Sequence, residues 1–370
     1  MHIRRRLPTS LVLAFVAASG VALVPVVAQQ QKRDPKLEKA MAAEVQAVVR
    51  IADAVAAGQP APGDIALTLR TDFLKAQENR TYVPFTVSID PAELPSKAVA
   101  MYMRVVNKNP PVPSPSALPL PPPLPAADAK KDTKAQKKAA APEYTFQEVY
   151  FLDVKAAEPG QSLRISRAFA VPAGEYELFV VLKERAPIET KDKNAVQKAG
   201  FVRQSVTVPN YWTAELTTSS VILAEKVEPL TAPLSAREQA EQPYTFGMTQ
   251  IVPALSSRFS KKVELSVVFL IYNTAMDTNK KPDVAVEYAF YQKVAGAEKG
   301  EKFFNKTSPQ AFNATTLPPQ FDPAMGHQLV AGQSVPLVSF PEGGYRLEIK
   351  VTDKLSGKTL TQNLEFNVAS

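Results

Sequence analysis

The sequence predicts an all-β protein of two tandem antiparallel β-sandwiches, preceded by an N-terminal amphipathic helix and with a long Pro/Lys-rich insertion in the first sandwich. Three observations predict this architecture: a turn-and-strand phrase that occurs twice, many short runs of alternating apolar residues, and a length of 370 residues. With about 150 residues per domain as a guide, the chain has room for two domains and appendages.

The repeated phrase is PAGEYELFVVL at 172–182 and PEGGYRLEIKV at 341–351. Pro and Gly make a turn, and every second residue after them is apolar, which is typical of a turn that leads into a half-buried strand. The expected inner face holds Tyr176, Leu178, Val180 and Leu182 in the first copy, and Tyr345, Leu347, Ile349 and Val351 in the second. The outer face of the second copy is charged, but the first copy has Phe179 and Val181 there. We therefore expect another element to cover that sheet.

The similarity extends beyond the phrase and indicates that a whole domain is repeated. Other runs of β-branched and aromatic residues predict strands at 82–89, 98–106, 201–208, 219–223, 263–271, 284–292 and 359–368. We place the first domain at 63–228, a polar linker at 229–243 and the second domain at 244–370. Within the linker, Ser235 and Glu238 have the spacing of a capping box, which predicts a short helical turn.

Residues 1–28 have the organisation of a secretory signal peptide. Three arginines at 4–6 precede an apolar stretch, and small-residue spacing at Val26 and Ala28 predicts cleavage after Ala28. We expect an exported chain, periplasmic or extracellular, without an integral membrane span after cleavage; the alternative is an uncleaved anchor. The formal net charge of +7 includes the three arginines. The exported chain is therefore only mildly basic, and we expect no nucleic-acid partner.

The segment 33–58 predicts an amphipathic helix, with Asp34 as a candidate N-cap and Pro35 at the first helical position. One apolar stripe recurs at intervals of three and four residues, formed by Leu37, Met41, Val45, Val48, Ala52 and Val55. Two interpretations stay open. The helix packs on the first domain and covers the face with Phe179 and Val181, or it is a partner helix that mediates self-association.

Residues 109–142 separate two predicted strands of the first domain and contain no strand pattern of their own. Their first half includes PLPPPLP (119–125), which favours extended polyproline II. Their second half carries a cluster of cations, Lys130, Lys131, Lys134, Lys137 and Lys138. A disordered, solvated insertion is one interpretation. The functional alternative that we rank first is contact with an anionic polymer or lipid of the cell envelope.

Composition argues against the commonest kinds of catalytic site. The chain has no Cys and two His, and His327 alone lies outside the predicted signal peptide. Zinc sites use at least three protein ligands, commonly Cys or His, and His-based nucleophilic catalysis would need a nucleophile beside His327. We interpret His327 as a loop residue and expect no enzyme activity, no catalytic residues, no metal site and no cofactor.

Tyr176 and Tyr345 each stand in a Pro-x-Gly-x-Tyr phrase. This fits the tyrosine corner of Ig-like domains, in which a Tyr near the start of a strand bonds to the backbone upstream. With the export signal, the chain resembles the tandem Ig-like or fibronectin-III-like domains of secreted bacterial proteins of unassigned function. The resemblance implies two Ig-like sandwiches and a structural role for Tyr176 and Tyr345. It implies no binding site, because the motif is a folding signature shared by many functions.

Three functions of different classes are open. The first is a non-catalytic interaction or scaffold protein of the bacterial cell envelope, whose partner is an envelope protein or an anionic envelope polymer. The second is a carbohydrate-binding module or a carbohydrate-active accessory protein, which would need paired acids or an aromatic platform; Tyr211 with Trp212 is the candidate platform. The third is a membrane-tethered adhesin, which would require the signal segment to remain uncleaved.

Overall fold

A computed structural model describes residues 35–96, 98–109, 144–156, 160–186, 197–294 and 300–370. The predicted signal peptide at 1–28 and, apart from Asn109, the predicted insertion at 109–142 lie outside the described residues. The described part is mostly β, with a long N-terminal helix and four sheets. The β-rich class and the N-terminal helix are therefore confirmed.

Helix α1 spans Pro35–Ala56 and a short helix α2 spans Ala236–Glu241. The strands up to residue 208 are, in order, β1 (Leu67–Thr71), β2 (Leu74–Lys75), β3 (Arg80–Ile89), β4 (Ala98–Asn107), β5 (Phe146–Asp153), β6 (Leu163–Pro172), β7 (Gly174–Glu184) and β8 (Ala199–Val208). The later strands are β9 (Thr217–Thr218), β10 (Ile222–Pro229), β11 (Thr245–Phe246), β12 (Thr249–Pro253), β13 (Arg258–Ser260), β14 (Glu264–Tyr272), β15 (Val284–Lys293), β16 (Glu301–Lys306), β17 (Gln310–Phe312), β18 (Leu329–Pro336), β19 (Gly343–Asp353) and β20 (Thr359–Ala369). Two 3-10 turns, Pro323–Met325 and Leu337–Ser339, flank β18.

The strands up to residue 208, which we call the first half, form sheets A and B. Sheet A has the order β5-β4-β7-β8, and sheet B has β3 at its centre, with β1 and β2 along one side and β6 along the other. All these pairs are antiparallel. One core cluster takes buried side chains from both sheets, including Phe85 and Val87 of β3, Met103 of β4 and Leu178 and Val180 of β7. The two sheets therefore pack face to face as a β-sandwich.

The strands from β9 onward, which we call the second half, form sheets C and D. Sheet C has the order β11-β12-β10-β14-β18, with β9 also on β14, and sheet D has the order β13-β20-β19-β15-β16, with β17 also on β15. The pair β13–β20 is parallel, and the other pairs are antiparallel. A second core cluster joins these sheets through Phe269, Tyr288, Leu347, Ile349 and Phe366.

The observed pairing moves the boundary between the halves toward the N-terminus. Strand β10, at 222–229, lies almost wholly in the domain predicted at 63–228, but it pairs with β12 and β14 in sheet C. The physical reason is that Ile222 and Ala224 are buried against Val268 of β14. The segment 229–243 is consequently a connection between β10 and β11 within sheet C, not a linker between the halves.

Helix α2 in this connection begins with the predicted capping box. Ser235 Oγ accepts a hydrogen bond from the backbone N–H of Glu238 at 3.3 Å, and the Glu238 carboxylate accepts from the backbone N–H of Ser235 at 2.8 Å. These bonds satisfy two backbone donors that the first turn of a helix leaves free. The prediction of a capped helical turn is confirmed.

Helix α1 packs on sheet A, on the face that carries Val181. Val48 and Ala52 are fully buried in a cluster with Ala100, Tyr102 and Val181. The helix therefore covers its own sheet, as the packing interpretation predicts. Its N-terminal residues Leu37 and Met41 stay exposed, and self-association through them stays a prediction.

Two ion pairs fix helix α1 to sheet A. Arg104 Nη2 lies 2.6 Å from Asp53 Oδ1, and Lys183 Nζ lies 2.7 Å from Glu44 Oε2. Burial disfavours the charged form of Arg104, but hydrogen bonds to Tyr102 and Asp53 outweigh burial and raise its pKa. The guanidinium therefore stays charged beneath the helix.

The repeated phrase gives the same local structure in both halves. Tyr176 and Tyr345 are buried, and their hydroxyls donate to the carbonyls of Pro172 at 3.0 Å and Pro341 at 2.7 Å. The glycines of the two turns, Gly174 and Gly343, have φ angles of 157° and 138°. Side chains rarely adopt such angles, which explains the Gly in each phrase.

Candidate functional site

A polar contact joins the two halves of the molecule. The Tyr244 hydroxyl donates to Asp72 Oδ2 at 2.9 Å, and Asp72 also accepts from Arg70 Nε at 3.1 Å. The Arg70 guanidinium in turn donates to the carbonyl of Ala254. Burial, followed by the charge of Asp72, raises the pKa of Tyr244 well above its usual range. The Tyr244 hydroxyl is therefore protonated and remains a donor.

A second set of contacts holds strand β2 against the end of β14. The backbone N–H of Lys75 donates to the Tyr272 hydroxyl at 3.1 Å. The N–H of Phe73 donates to Ser220 Oγ at 2.9 Å, and its carbonyl accepts from the Tyr211 hydroxyl at 3.1 Å. The rings of Tyr211 and Tyr272 pack with centroids 5.2 Å apart. We call this set and the contact at Asp72 the junction.

An open cleft of about 980 Å³ lies at the junction. We call it the junction cleft. Its lining residues come from separate stretches of the chain, namely 75–77, Trp212, 245–247, 271–274, Met276, Phe321 and 323–329. Both halves therefore contribute to its walls, and its shape depends on how the junction holds them together.

Three exposed apolar side chains line the junction cleft. Trp212 is 43% exposed, Met276 38% and Met325 68%. The indole N–H of Trp212 donates to the carbonyl of Arg80 at 3.3 Å, which fixes the ring. A cluster of exposed apolar groups is typical of a surface that another molecule covers.

Lys75 places a positive charge in the junction cleft. Its Nζ lies 4.5 Å from the centroid of the Trp212 ring and donates to Asn273 Oδ1 at 2.9 Å. Partial burial lowers its pKa, because a desolvated ammonium is less stable than one in water. The surroundings thus restrain this cation without neutralising it.

No carboxylate in the lining of the junction cleft, all of which is described, balances Lys75. Among nearby acidic residues, Glu78 is exposed next to Gln77, and Asp277 accepts from the backbone N–H of Lys281 at 2.8 Å. Asp322 Oδ1 accepts from the N–H of Ala324 at 2.9 Å, and Glu215 accepts from Lys358 Nζ at 3.1 Å. The lining itself therefore contains the cation of Lys75 and no carboxylate.

Asn273 determines where the Lys75 ammonium lies. It has a positive φ of 62°, a conformation that Asn adopts more readily than most residues. Its side-chain Nδ2 donates to the carbonyls of Tyr211 at 3.1 Å and Glu215 at 3.0 Å, which leaves Oδ1 to accept from Lys75. The cation is consequently positioned before any partner binds.

The loop before β18 contributes His327 to the lining. His327 Nδ1 accepts from the backbone N–H of Asp322 at 2.9 Å, so the neutral ring carries its proton on Nε2. Gly326, with a φ of 86°, ends the preceding 3-10 turn. His327 thus stabilises the loop through one nitrogen and has a donor on the other.

The predicted candidate interaction residues have different outcomes. Lys130, Lys131, Lys134, Lys137 and Lys138 lie outside the described residues. Trp212 is exposed and lines the junction cleft, but Tyr211 is only 4% exposed and packs in the junction. The pair therefore does not form an aromatic platform, because Tyr211 uses its ring and hydroxyl to hold the halves together.

Sequence reasoning missed most of the junction cleft. Lys75, Met276 and Met325 lie in three segments without a recognisable motif, and His327 stood out only as the histidine outside the signal peptide. The chain fold alone brings them together. Trp212, the single Trp of the chain, was the clearest signal in the sequence that pointed to this region.

The described residues lack two further kinds of site or segment. They contain no group of three or more His, Asp or Glu side chains placed to hold a metal ion. Neither α1 nor α2 combines the length and apolar character that a transmembrane helix requires.

Comparisons with known proteins give little information. No family model matches the chain, and no curated protein matches it. A solved structure of a DUF4785 family protein from Legionella pneumophila subsp. pneumophila strain Philadelphia 1 is similar over 83% of this chain, with 11% identity and a TM-score of 0.23. This chain covers 57% of that protein. At so low a TM-score we draw neither fold nor function from the similarity.

Proposed function

We propose that the chain is a non-catalytic, exported interaction or scaffold protein of the bacterial cell envelope, which binds an envelope protein or an anionic envelope polymer. In this proposal the two halves are tandem Ig-like β-sandwiches. The two core clusters and the equivalent hydrogen bonds of Tyr176 and Tyr345 support that arrangement. Rigid sandwiches suit such a role because loops and junctions can bind partners while the cores stay fixed.

The observation that carries the proposal is the exposed apolar surface beside the hydrogen-bonded junction. Folding alone gives no reason to keep Trp212, Met276 and Met325 in water, since exposed apolar area is unfavourable. The presence of all three in one cleft favours an interaction site. The buried contact between Tyr244 and Asp72 supports a fixed cleft, because it ties the two halves together.

The anionic-polymer part of the proposal rests on the sequence of the insertion at 109–142. Lys130, Lys131, Lys134, Lys137 and Lys138 follow a proline-rich stretch that favours an extended chain. Clustered cations attract anionic polymers and headgroups, and salt weakens such contacts.

Capture of envelope components by the exported chain, with and without residues 109–142, tests the proposal. We expect the intact chain to retain defined components at low and at physiological salt. Deletion of 109–142 should remove the salt-sensitive part of that binding and leave the part that depends on the sandwiches. If the intact chain retains nothing above a bead control, the proposal is wrong.

Carbohydrate binding is the second candidate, and the exposure of Trp212 favours it. Trp212 is the single Trp of the chain, so its fluorescence reports directly on the junction cleft. Under this candidate function, titration with neutral and acidic oligosaccharides should change the emission. Unchanged emission across such a panel would reject it.

A membrane-tethered adhesin is the third candidate, and it depends on an uncleaved segment at 11–28. N-terminal sequencing of the exported chain distinguishes it from our proposal, which predicts a start at or near Gln29. A start at Met1 would instead favour the tethered form.

A further inference from the structure

The chemistry of the junction cleft fits protein side chains better than sugar rings. Met276 and Met325 are flexible and polarizable, and such side chains adapt to varied apolar partners. Trp and Met are enriched in protein interfaces. The lining has no Asp or Glu to accept hydrogen bonds from paired sugar hydroxyls. The exposed apolar groups therefore favour a partner with apolar side chains of its own.

The charge of the cleft specifies a second feature of the partner. Lys75 forms no ion pair within the described residues, and its ammonium is held between Trp212 and Asn273. A carboxylate that reached Nζ would make a charge-assisted hydrogen bond and offset its desolvation. A cationic partner would instead be repelled.

The shape of the cleft specifies a third feature. Strands β2 and β11 are the outermost strands of sheets B and C, and both contribute lining residues. An open volume of about 980 Å³, lined by these strands and by later segments, suits an extended segment rather than a small, enclosed ligand. Thr245 of β11 is buried in the lining, and its hydroxyl has no hydrogen-bond partner in the described part of the chain.

We infer that the junction cleft binds an extended segment of a partner protein in which a carboxylate side chain is flanked by large apolar residues. The carboxylate binds Lys75, and the apolar residues cover Trp212, Met276 and Met325. This inference rests on the proposed function, because it names the partner chemistry of the same site.

Selection of peptides from a phage-displayed random library against the exported full chain tests the inference. We expect enriched peptides to combine Asp or Glu with large apolar residues. Lys75→Met should weaken their binding about tenfold, since it keeps most of the apolar stem and removes the charge. Met325→Ser should weaken binding severalfold.

Val338→Ser is the matched control. Val338 is 72% exposed and lies outside the junction cleft, whereas Met325 is 68% exposed within it. Met325→Ser and Val338→Ser each remove an exposed apolar side chain, so we expect both variants to fold. The comparison between them therefore tests the inference even if Lys75→Met does not fold. Peptide affinity should be unchanged by Val338→Ser.

Three outcomes would overturn the inference. In the first, the selection enriches no peptide. In the second, the enriched peptides bind Met325→Ser and Lys75→Met as tightly as they bind the parent. In the third, oligogalacturonate binds in a Trp212-dependent manner and no peptide does. If the exported chain still captures envelope components in those cases, the proposed function stands and only the site chemistry is wrong. If it captures none, the proposed function is wrong as well.

Discussion

The hydroxyl of Tyr244 donates a hydrogen bond of 2.9 Å to the carboxylate of Asp72, which is 172 residues away in the chain. Both side chains are buried, at 3% and 4% exposure. Asp72 lies in the first half of the molecule and Tyr244 in the second. A buried charge needs its partners, so this bond makes the relative position of the halves part of the folded state.

Tyr244→Phe should lower the free energy of unfolding by about 1–3 kcal/mol, because it leaves the buried Asp72 carboxylate with one partner fewer. Urea unfolding followed by circular dichroism measures the change. Tyr291→Phe is the control, since Tyr291 is only half-buried and lies away from the junction. If both variants lose the same free energy of unfolding, the bond between Tyr244 and Asp72 makes no specific contribution to stability.

Tyr176→Phe and Tyr345→Phe should each destabilise the protein by about 1 kcal/mol, the net value of one hydrogen bond. Each variant removes a bond to a Pro carbonyl, of 3.0 Å for Tyr176 and 2.7 Å for Tyr345. Urea unfolding checks both variants. Unchanged stability in both would remove the structural role assigned to these tyrosines.

Asp353 should make stability depend on pH in acid. Burial disfavours its charge, but hydrogen bonds from the N–H of Ala275 and from Ser356 and Leu355 outweigh burial and lower its pKa below the usual 3.8. The folded-state pKa is thus the lower one, so the contribution is complete above the unfolded value and is lost as pH falls through the folded value.

Asp353→Asn tests this dependence. At pH 7 we expect a loss of about 1–3 kcal/mol, because the amide cannot accept all the bonds that the carboxylate accepts. The difference from the parent should begin to shrink below about pH 3.8, where the carboxyl of the unfolded chain becomes protonated, and should be lost as pH falls through the lower folded-state pKa. A difference that is the same at pH 7 and in acid would contradict the assigned pKa shift.

Val48→Ala should destabilise the protein by about 1–2 kcal/mol, because it leaves a cavity between helix α1 and sheet A. Met41→Ala on the same helix should change stability little, since Met41 is 38% exposed and Val48 is fully buried. Urea unfolding compares the two. Equal, small effects would show that the packing of Val48 against sheet A contributes little to the free energy of unfolding.

Replacement of residues 109–142 by a short Gly-containing turn should leave the fold intact. Strands β4 and β5 pair directly up to Val105 and Phe146, beyond which the insertion begins and ends. Loop-closure cost depends only on the logarithm of loop length, so we expect a change within about 1 kcal/mol. Loss of the cooperative unfolding transition would show that the sandwich requires the insertion.

The strands that contain periodic apolar patterns were predictable from the sequence. Tyr345, Leu347, Ile349 and Val351 are buried and alternate with less buried residues, because successive side chains of a strand point to opposite faces. The cover over Val181 was also predictable, since Val181 is an apolar residue at a position that is charged in the other copy of the phrase.

The junction was not predictable in the same way. Strand β10 precedes a polar segment and lies outside the repeated phrase, so nothing in the sequence assigned it to sheet C. Tyr211 and Trp212 are adjacent and both aromatic, but only the tertiary structure determines that one is buried and the other exposed. Lys75 and Met325 line the same cleft because of the tertiary structure, which no local pattern encodes.

The most direct test of partner binding at the junction cleft is site-specific photo-crosslinking in the intact cell envelope. A photoreactive amino acid replaces Met325 in one chain and Val338 in another; both positions are exposed, but only the first lies in the cleft. We predict a discrete crosslinked protein adduct from position 325 and none above background from position 338. No adduct at 325, or the same adducts from both positions, would contradict binding at the junction cleft.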